Sequence, residues 1–326
     1  MKTDLMSRSI LAALTVALLA AAAPGQEWQW DDRPGQSLAL KQGETVVWQL
    51  LYGPDQPKPL FHPVGLPDGR VLTWNRPPDH DWHHGLWFAW KYLNGVNYWE
   101  PADRKTGRFE GVTRWANVKT ATHPDGSARI EMDLSYSPAA APADAPPVLV
   151  EKRVVAASAP DEEGQYHFDW TSTFTAGEKD VELSRTPIDG QPGGVPWGGY
   201  AGLSIRLAKE LTDRAADSTE GPVEFEGARH RSKALALDYH GLIGGKPLGM
   251  AVCDHPDNLN HPTPWYVIRG KPMSYFSPAV IYYGPHTLEA GQSSTLRYRI
   301  IVHPGRWDAE KLKEEYQRFV EESRGD

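Results

Sequence analysis

The sequence predicts an all-β protein in which antiparallel sheets form a sandwich and one helix ends the chain. Short apolar segments, separated by Gly, Pro, Asn and Asp, recur from Ser37 onward. Several alternate with period two, which is typical of strands that place one face in a core. No helical pattern interrupts them before Asp308. Strands in such a series favour an antiparallel sandwich.

The first 25 residues have the pattern of an export signal. Lys2 and Arg8 precede an apolar run over residues 10–23, and small residues follow. The run is shorter than a comfortable membrane span, so we expect cleavage near Gly25, with an uncleaved anchor as the alternative. The expected product is periplasmic or secreted and has no membrane span after cleavage. Residues 26–326 are expected to form a single domain.

Twelve segments are predicted as strands because apolar, β-branched or aromatic residues lie between turn residues in each of them. Residues 129–136 show the alternation well, since Ile130, Met132, Leu134 and Tyr136 share one face. The predicted strands are 37–41, 45–52, 86–92, 129–136, 148–156, 166–175, 203–207, 234–239, 248–253, 265–269, 280–283 and 294–303.

The C-terminal segment has the period of an amphipathic helix. Asp308 can accept a hydrogen bond from the first turn, and apolar residues then recur at helical spacing. We predict a helix over about residues 307–322 that covers an edge or a face of a sheet. Its apolar residues are Ala309, Leu312, Tyr316, Phe319 and Val320.

Composition excludes some functions and favours another. The net charge of −8 comes without a basic stripe, so nucleic acid is not an expected partner. Cys253 is the only cysteine, so an internal disulfide is excluded. The 13 Trp and 13 Tyr residues can fill cores, and some can stack on sugars.

A histidine cluster is the strongest functional signal in the sequence. His80, His83 and His84 fall within five residues, next to Asp79, and lead into an apolar strand. Imidazole suits acid–base catalysis near neutral pH and is a common metal ligand. In a helical turn the three histidines would share one face, whereas in a strand His83 and His84 would point to opposite sides.

Two other parts of the chain could complete a site with this cluster, and the first is His62, which lies upstream. A downstream loop over residues 254–269 contains His255, His261 and Arg269, and we hypothesise that the two loops converge. His83 and His261 are then the candidate acid–base pair. The alternative is that these histidines only bond to loop backbones.

The candidate residues fall into three groups according to the role that each could have. A divalent metal is the candidate cofactor, although the spacing matches no known zinc signature. The candidate catalytic residues are His83, His261, His84 and Glu100. The candidate metal ligands are Asp79, His80, His83 and His84. The candidate substrate-binding residues are His62, Asn97, Trp99, Tyr200 and Arg269.

Several motifs together resemble a family of secreted bacterial proteins known as PmoA-like. The resemblance rests on Asp79-His80-x-x-His83, on the segments 85–88 and 94–99, on 61–63, on 261–265 and on the closing 288–299 segment. It spans roughly residues 38–319. The family pattern has an Arg where this chain has His84. A methane oxygenase subunit, which the family name suggests, needs several apolar spans, and none follows residue 23.

The resemblance implies a β-supersandwich similar to the galactose mutarotase fold, whose relatives mostly act on carbohydrates. We therefore expect an exported carbohydrate-active protein, an enzyme of epimerase, lyase or hydrolase type. The alternative is a non-catalytic carbohydrate-binding protein that uses the same aromatic residues. A third hypothesis, a partner-binding structural protein, would require a large exposed apolar patch.

Overall fold

The computed structural model describes residues 27–142 and 144–324, and the predicted signal peptide lies outside them. Within these residues the chain forms 22 strands and one helix. They are β1 (Trp28–Arg33), β2 (Ser37–Gln42), β3 (Thr45–Leu51), β4 (Leu60–Val64), β5 (Leu86–Ala89), β6 (Tyr92–Leu93), β7 (Val96–Asn97), β8 (Gly111–Thr122), β9 (Ala128–Pro138), β10 (Leu149–Ala157), β11 (Tyr166–Ala176), β12 (Val181–Ser184), β13 (Gly202–Arg206), β14 (Thr212–Ser218), β15 (Gly221–Pro222), β16 (Arg229–Lys233), β17 (Ala236–Ile243), β18 (Lys246–Asp254), β19 (Pro264–Arg269), β20 (Ser274–Pro278), β21 (His286–Leu288), β22 (Ser293–Pro304) and α1 (Ala309–Glu322).

Two nine-stranded antiparallel sheets form the sandwich. The front sheet has the order β1-β2-β3-β4-β5-β13-β20-β19-β16, and the back sheet has the order β15-β14-β17-β18-β22-β11-β10-β9-β8. Four short strands form a small third sheet in the order β21-β12-β6-β7. The predicted class, an all-β antiparallel sandwich with a C-terminal helix, is confirmed.

The main core lies between the two large sheets. Strand β11 alternates regularly between buried and half-buried residues, as expected of a strand with one face in a core. From this strand Phe168 contacts Trp48 and Phe61 of the front sheet, with ring centroids 5.6 Å and 5.0 Å away. Burial of each such side chain contributes roughly 1.5–3 kcal/mol, so this interface dominates the stability of the fold.

Helix α1 covers the outer face of the back sheet. Asp308 caps its N-terminus by accepting a hydrogen bond from the backbone N–H of Lys311 at 2.9 Å. Its apolar face, from Leu312 to Val320, packs on Ala251 and Ile301 of the back sheet. The prediction of a helix that covers a sheet is therefore confirmed.

The sequence predicted the long strands of the back sheet best. It missed β1 and β8, which end the two large sheets and bury few side chains, so their sequences show little alternation. It also missed β4 and β20, which are inside the front sheet but are only five residues long, together with β7, β12, β14, β15, β16 and β21. The strand predicted over residues 280–283 was wrong. Backbone bonds from Val280 to Pro278 and from Tyr282 to Ala279 make turns there, and the strand ends at Pro278.

Among the described residues, no helix has the length and apolarity needed to cross a membrane.

Candidate functional site

The outer face of the front sheet holds a cavity of about 410 Å³. Strand register places Ile268 of β19 directly opposite Tyr275 of β20 on this face. The cavity is lined by His80, Trp82, His83, Trp99, Glu100, Arg104, Trp197, Tyr200, Arg229, Tyr266, Ile268, Met273 and Tyr275.

Two consecutive turns bring the histidine cluster over this face. The N–H of His80 donates to the carbonyl of Pro77 at 3.0 Å, and the N–H of His83 donates to the carbonyl of His80 at 2.9 Å. The rings of His80 and His83 therefore lie together, with centroids 4.7 Å apart. Gly85 ends the loop at φ +43°, where an added Cβ would lie 2.5 Å from the carbonyl oxygen of Phe61. Glycine is thus required at this position.

A chain of hydrogen bonds orients His80. Its Nδ1 lies 3.0 Å from Oδ2 of Asp79, and the buried Arg206 donates to both oxygens of the same carboxylate at 2.9 Å and 2.8 Å. Burial alone would raise the pKa of Asp79, but the bonds and charges of His80 and Arg206 outweigh it and lower that pKa. A carboxylate that holds one imidazole nitrogen fixes the tautomer and the orientation of the ring. The ring of His80 is thus presented to the cavity.

His83 lies deeper, on the aromatic floor of the cavity. Its ring centroid is 5.3 Å from that of Trp87 and 5.4 Å from that of Tyr275. Burial, reinforced by nearby positive charges, holds the pKa of His83 well below its ordinary value. The imidazole is therefore neutral at neutral pH. Its Nδ1 is buried and has no hydrogen-bond partner among the described residues.

The predicted metal-binding set is not assembled. His84 faces away from His83: its Nδ1 contacts Oδ1 of Asn75 at 3.0 Å, and its ring lines a neighbouring groove. The Asp79 carboxylate is already engaged by Arg206. Within residues 27–142 and 144–324, no group of three His, Cys, Asp or Glu side chains is placed to hold a metal ion. The two turns end at His83 and do not continue as a helix. His84 therefore does not share a face with His80 and His83.

Glu100 brings a carboxylate to the cavity wall. It forms an ion pair with the buried Lys91, and its other oxygen, Oε2, is buried without a partner in the described part of the chain. Behind it, the ammonium group of Lys58 donates to the carbonyls of Tyr98 and Trp99 at 3.0 Å and 3.2 Å. Burial lowers the pKa of Lys58 to about 7. Asn97 does not line the cavity.

Asn97 instead positions the residues that follow it. Its Oδ1 accepts the backbone N–H of Trp99 at 2.8 Å, which fixes the turn into Glu100. The rings of Trp99 and Tyr200 then contact each other, with centroids 5.0 Å apart. Both side chains line the cavity, as the hypothesis of substrate contact requires.

Trp197 also lines the cavity, although it was not among the residues predicted from the sequence. Its side chain is 53% exposed, although tryptophan is usually buried. The carbonyl of Trp197 accepts a hydrogen bond from the hydroxyl of Tyr266 at 3.0 Å, so the loop is fastened to the sheet. The signal in the sequence is a tryptophan at the start of the glycine-rich segment 197–202.

The histidines of the downstream segment do not line the cavity, although Tyr266 and Ile268 of the same segment do, so the expected convergence of His261 with His83 is not found. Nδ1 of His261 lies 2.8 Å from Oδ2 of Asp254, and its ring stacks on Tyr316 of α1. It therefore belongs to the helix-covered side of the molecule. The reason is that a buried carboxylate and the C-terminal helix hold the loop between β18 and β19, which the local sequence does not reveal.

Two other candidate residues also lie outside the cavity. Arg269 stacks on Phe225, with its guanidinium carbon 4.1 Å from the ring centroid. His62 is in β4, where its Nδ1 contacts the Thr73 hydroxyl at 3.0 Å. Burial lowers the pKa of His62 to about 4.

A larger and more open groove of about 910 Å³ lies between β8, the turn after β1 and the segment around Lys58. No histidine lines it. Its walls combine Pro, Gly and Thr residues with four aromatic residues and three charged ones, which are Tyr52, Tyr98, Phe109, Trp115, Asp32, Lys58 and Arg114. We regard the smaller cavity as the candidate site, because aromatic walls, two histidines and a carboxylate converge there.

A protein-family model matches most of the chain. The model of a family of unknown function, DUF6807, matches residues 37–317. The chain belongs to this family. The DUF6807 match begins at β2 and ends within α1, so it includes every residue of the cavity. The description of DUF6807 does not contain the PmoA-like name, so that finer resemblance remains a prediction.

Comparisons with curated proteins and with solved structures give no further evidence about function. No curated protein matches the chain significantly. Among solved structures, a polysaccharide lyase matches at 10% identity and a TM-score of 0.29, over 90% of this chain and 35% of that one. The chain thus spans about a third of the length of that lyase. A similarity at this level carries no argument about activity.

Proposed function

We propose that this member of DUF6807 is a carbohydrate-active enzyme that transfers a proton on a bound sugar, by epimerisation, elimination or glycosidic cleavage. The observation that carries the proposal is the meeting of His80, His83 and Glu100 in one aromatic-walled cavity. Flat aromatic rings bind the apolar faces of sugars, and a few polar groups among them fix orientation. The volume of about 410 Å³ suits one or two sugar rings.

Each titratable residue has a distinct role in this proposal. His80, oriented by Asp79, is the base, because a positioned imidazole is the commonest general acid–base group. Glu100 bonds to substrate hydroxyls through the oxygen that Lys91 leaves free. The neutral His83 contributes its unpartnered Nδ1 to the substrate, since a buried polar atom without a partner costs free energy until it is paired.

The second candidate function is carbohydrate binding without catalysis. The observation that favours it is the exposed Trp197, which lies in the cavity wall with Trp99 and Tyr200. These rings alone would suffice for binding. The two functions differ in what loss of His80 does, because a binding protein would keep its ligand and an enzyme would lose turnover.

The test combines a glycan array with solvent exchange. The purified wild type is first screened for saccharides that bind, and each one bound is then incubated with the protein in D₂O. Nuclear magnetic resonance would detect new products or deuterium on the sugar. We expect exchange or product formation with the wild type, and a loss of about 100-fold or more in His80→Gln.

A matched control separates this effect from a general effect of histidine loss. His123 is exposed and lies outside the cavity, so His123→Gln should behave as the wild type does. If His80→Gln kept full turnover, the role of His80 would be refuted. Binding with neither exchange nor product formation in the wild type would support the binding function instead.

We also propose that the chain is exported and that residues 26–326 fold as one domain. The basic residues before the apolar run over residues 10–23 support export. Expression of the full chain in a bacterial host, followed by mass spectrometry of the periplasmic fraction, tests this. The expected product begins near residue 26, and a full-length product in the membrane fraction would contradict it.

A further inference from the structure

Two cations in the cavity have no anionic partner. In the described part of the chain, salt bridges join Glu100 to Lys91 and Asp79 to Arg206, and none includes Arg104 or Arg229. Both of these arginines nevertheless line the cavity. The other charges of the site are already balanced in pairs, so the cavity carries an excess of positive charge.

Arg229 faces the cavity because of the register of the front sheet. It lies in the edge strand β16, directly opposite Ile268 of β19, and Ile268 is itself opposite Tyr275 of β20. Residues that are opposite one another in adjacent strands share a face. Arg229 therefore projects onto the same face as two cavity residues. Its Nε is buried and has no hydrogen-bond partner among the described residues.

Arg104 approaches from the loops above the sheet. Its guanidinium carbon lies 4.1 Å from the ring centroid of Trp82, so the side chain is held flat against the wall. A stacked guanidinium keeps its N–H groups free at the edge of the plane, where they can bond to an anion in pairs. A second stacked arginine, Arg231, lies 3.5 Å from the ring centroid of Tyr266.

We propose that the sugar bound in this cavity carries a carboxylate, so that the substrate class is a uronic acid or a saccharide that contains one. This inference rests on the proposed carbohydrate function and specifies its substrate. The planar fork of arginine matches a carboxylate through two parallel hydrogen bonds. Arg229 supplies the buried donor, and Arg104 supplies a second cation beside Trp82.

A bound carboxylate would also explain how a single imidazole can remove a proton from carbon. When guanidinium groups neutralise the carboxylate, the C–H bond next to it becomes more acidic. The proton passes to His80, and the electron pair is delocalised into the carboxylate. Water then delivers a proton to the opposite face of that carbon and so inverts it, and His80 releases its own proton to the solvent. Alternatively, the C–O bond at the next carbon breaks, a C=C bond forms and the leaving oxygen takes up the proton that His80 had accepted. Both routes balance without an oxidant or a reductant.

The experiment compares matched acidic and neutral saccharides on the mature wild type by isothermal titration calorimetry. Oligogalacturonate is paired with its carboxyl-reduced form, oligoglucuronate with its reduced form, and a sulfated neutral oligosaccharide is included. We expect the acidic member of at least one pair to bind about tenfold to hundredfold more tightly than the neutral member. This comparison requires no variant, so it does not depend on the folding of a mutant.

Variants then assign the preference to its residues. Arg229→Met and Arg104→Met should each reduce the ratio of acidic to neutral affinity about tenfold. Arg33→Met is the matched control, because Arg33 is exposed on the far edge strand and pairs with Asp31. Circular dichroism would confirm the fold of each variant.

The outcomes separate this inference from the proposed function. Equal affinity for acidic and neutral members would overturn the carboxylate and leave carbohydrate binding intact. Tighter binding of the sulfated saccharide than of either uronate would assign the arginines to a sulfate ester and would also overturn it. If no saccharide bound at all, the proposed function itself would fail, and this inference with it.

Discussion

Both outer faces of the sandwich carry aspartate–histidine pairs, but the surroundings of the pairs differ. On the front sheet, Asp79 holds His80 at the wall of an open cavity. On the back sheet, Asp238 holds His240 at 2.9 Å and His303 at 3.1 Å, and all three side chains are buried. An aspartate–histidine pair is thus not a functional signal by itself. What distinguishes the front pair is that its imidazole lines a space that a ligand can enter.

The architecture accounts for this difference. Helix α1 and the preceding Trp307 cover the back sheet, and the ring of His303 stacks on Trp307 with centroids 3.8 Å apart. Gly249 lies between the strands that carry Asp238 and His303, and an added Cβ there would come within 2.7 Å of Asp238 Oδ1. The front sheet has no such helix among the described residues, and loops with turns rise around its centre instead.

The largest expected effect concerns the buried back cluster. Asp238→Ala would leave two buried histidines without their acceptor, and we expect the free energy of unfolding to fall by about 3–5 kcal/mol. Urea denaturation followed by fluorescence measures the change. Saccharide affinity per folded molecule should stay the same.

The control for this prediction is Asp133→Ala. Asp133 is exposed on β9 of the same sheet, so its removal should change stability by less than about 0.5 kcal/mol. A loss of saccharide affinity in Asp238→Ala, without loss of folded protein, would show that the two faces are not independent.

The second prediction concerns acid stability and His62 of the front sheet. Burial lowers its pKa from 6.5 to about 4, so between these pH values the unfolded chain binds a proton that the folded chain does not. Acidification through this window therefore favours the unfolded state. The contribution is absent above pH 6.5 and reaches about 3 kcal/mol near pH 4.

Comparison with His62→Gln isolates this contribution, because glutamine can still bond to the Thr73 hydroxyl and does not titrate. Chemical denaturation of both proteins at several pH values between 4 and 7 measures it. The wild type should lose more stability than the variant as the pH falls. Parallel curves for the two proteins would contradict the shift.

The third prediction tests the open face directly. Trp197 is 53% exposed, so Trp197→Ala should leave stability almost unchanged. It should weaken saccharide binding by up to about tenfold, because one stacking surface is lost. Tyr283→Ala is the matched control, since Tyr283 is 54% exposed and does not line the cavity. Calorimetry with the saccharide identified by the array measures both, and equal affinities would remove Trp197 from the site.

Sequence patterns predicted the fold best in long elements with one buried face, and they missed short buried strands such as β4 and β20. The alternation in β9 and the helical spacing in α1 follow directly from burial, whereas the edge strands β1 and β8 bury too little to produce a pattern. The histidine cluster likewise led to the cavity, because His80 and His83 are neighbours in sequence and in space.

The rest of the site depends on contacts between distant parts of the chain. Arg229 reaches the cavity only through the register of three strands, and no local pattern encodes that register. His261 was misjudged for the same reason. Its pairing with Asp254 is local, but α1, some 50 residues later in the chain, determines that the pair is covered.

The smallest expected effect concerns the helix that makes the back face different from the front. Asp308→Ala removes the N-cap bond to Lys311 and should lower the free energy of unfolding by about 1 kcal/mol, whereas Asp308→Asn should restore most of it, because asparagine caps equally well. Thermal unfolding of the three proteins measures this order. The helix packs on the back sheet and on the loop between β18 and β19, and none of its residues lines the cavity, so saccharide affinity should be the same in all three. A change of saccharide affinity in Asp308→Ala that is reversed in Asp308→Asn would contradict this. It would show that helix α1 influences the cavity through the core between the two sheets.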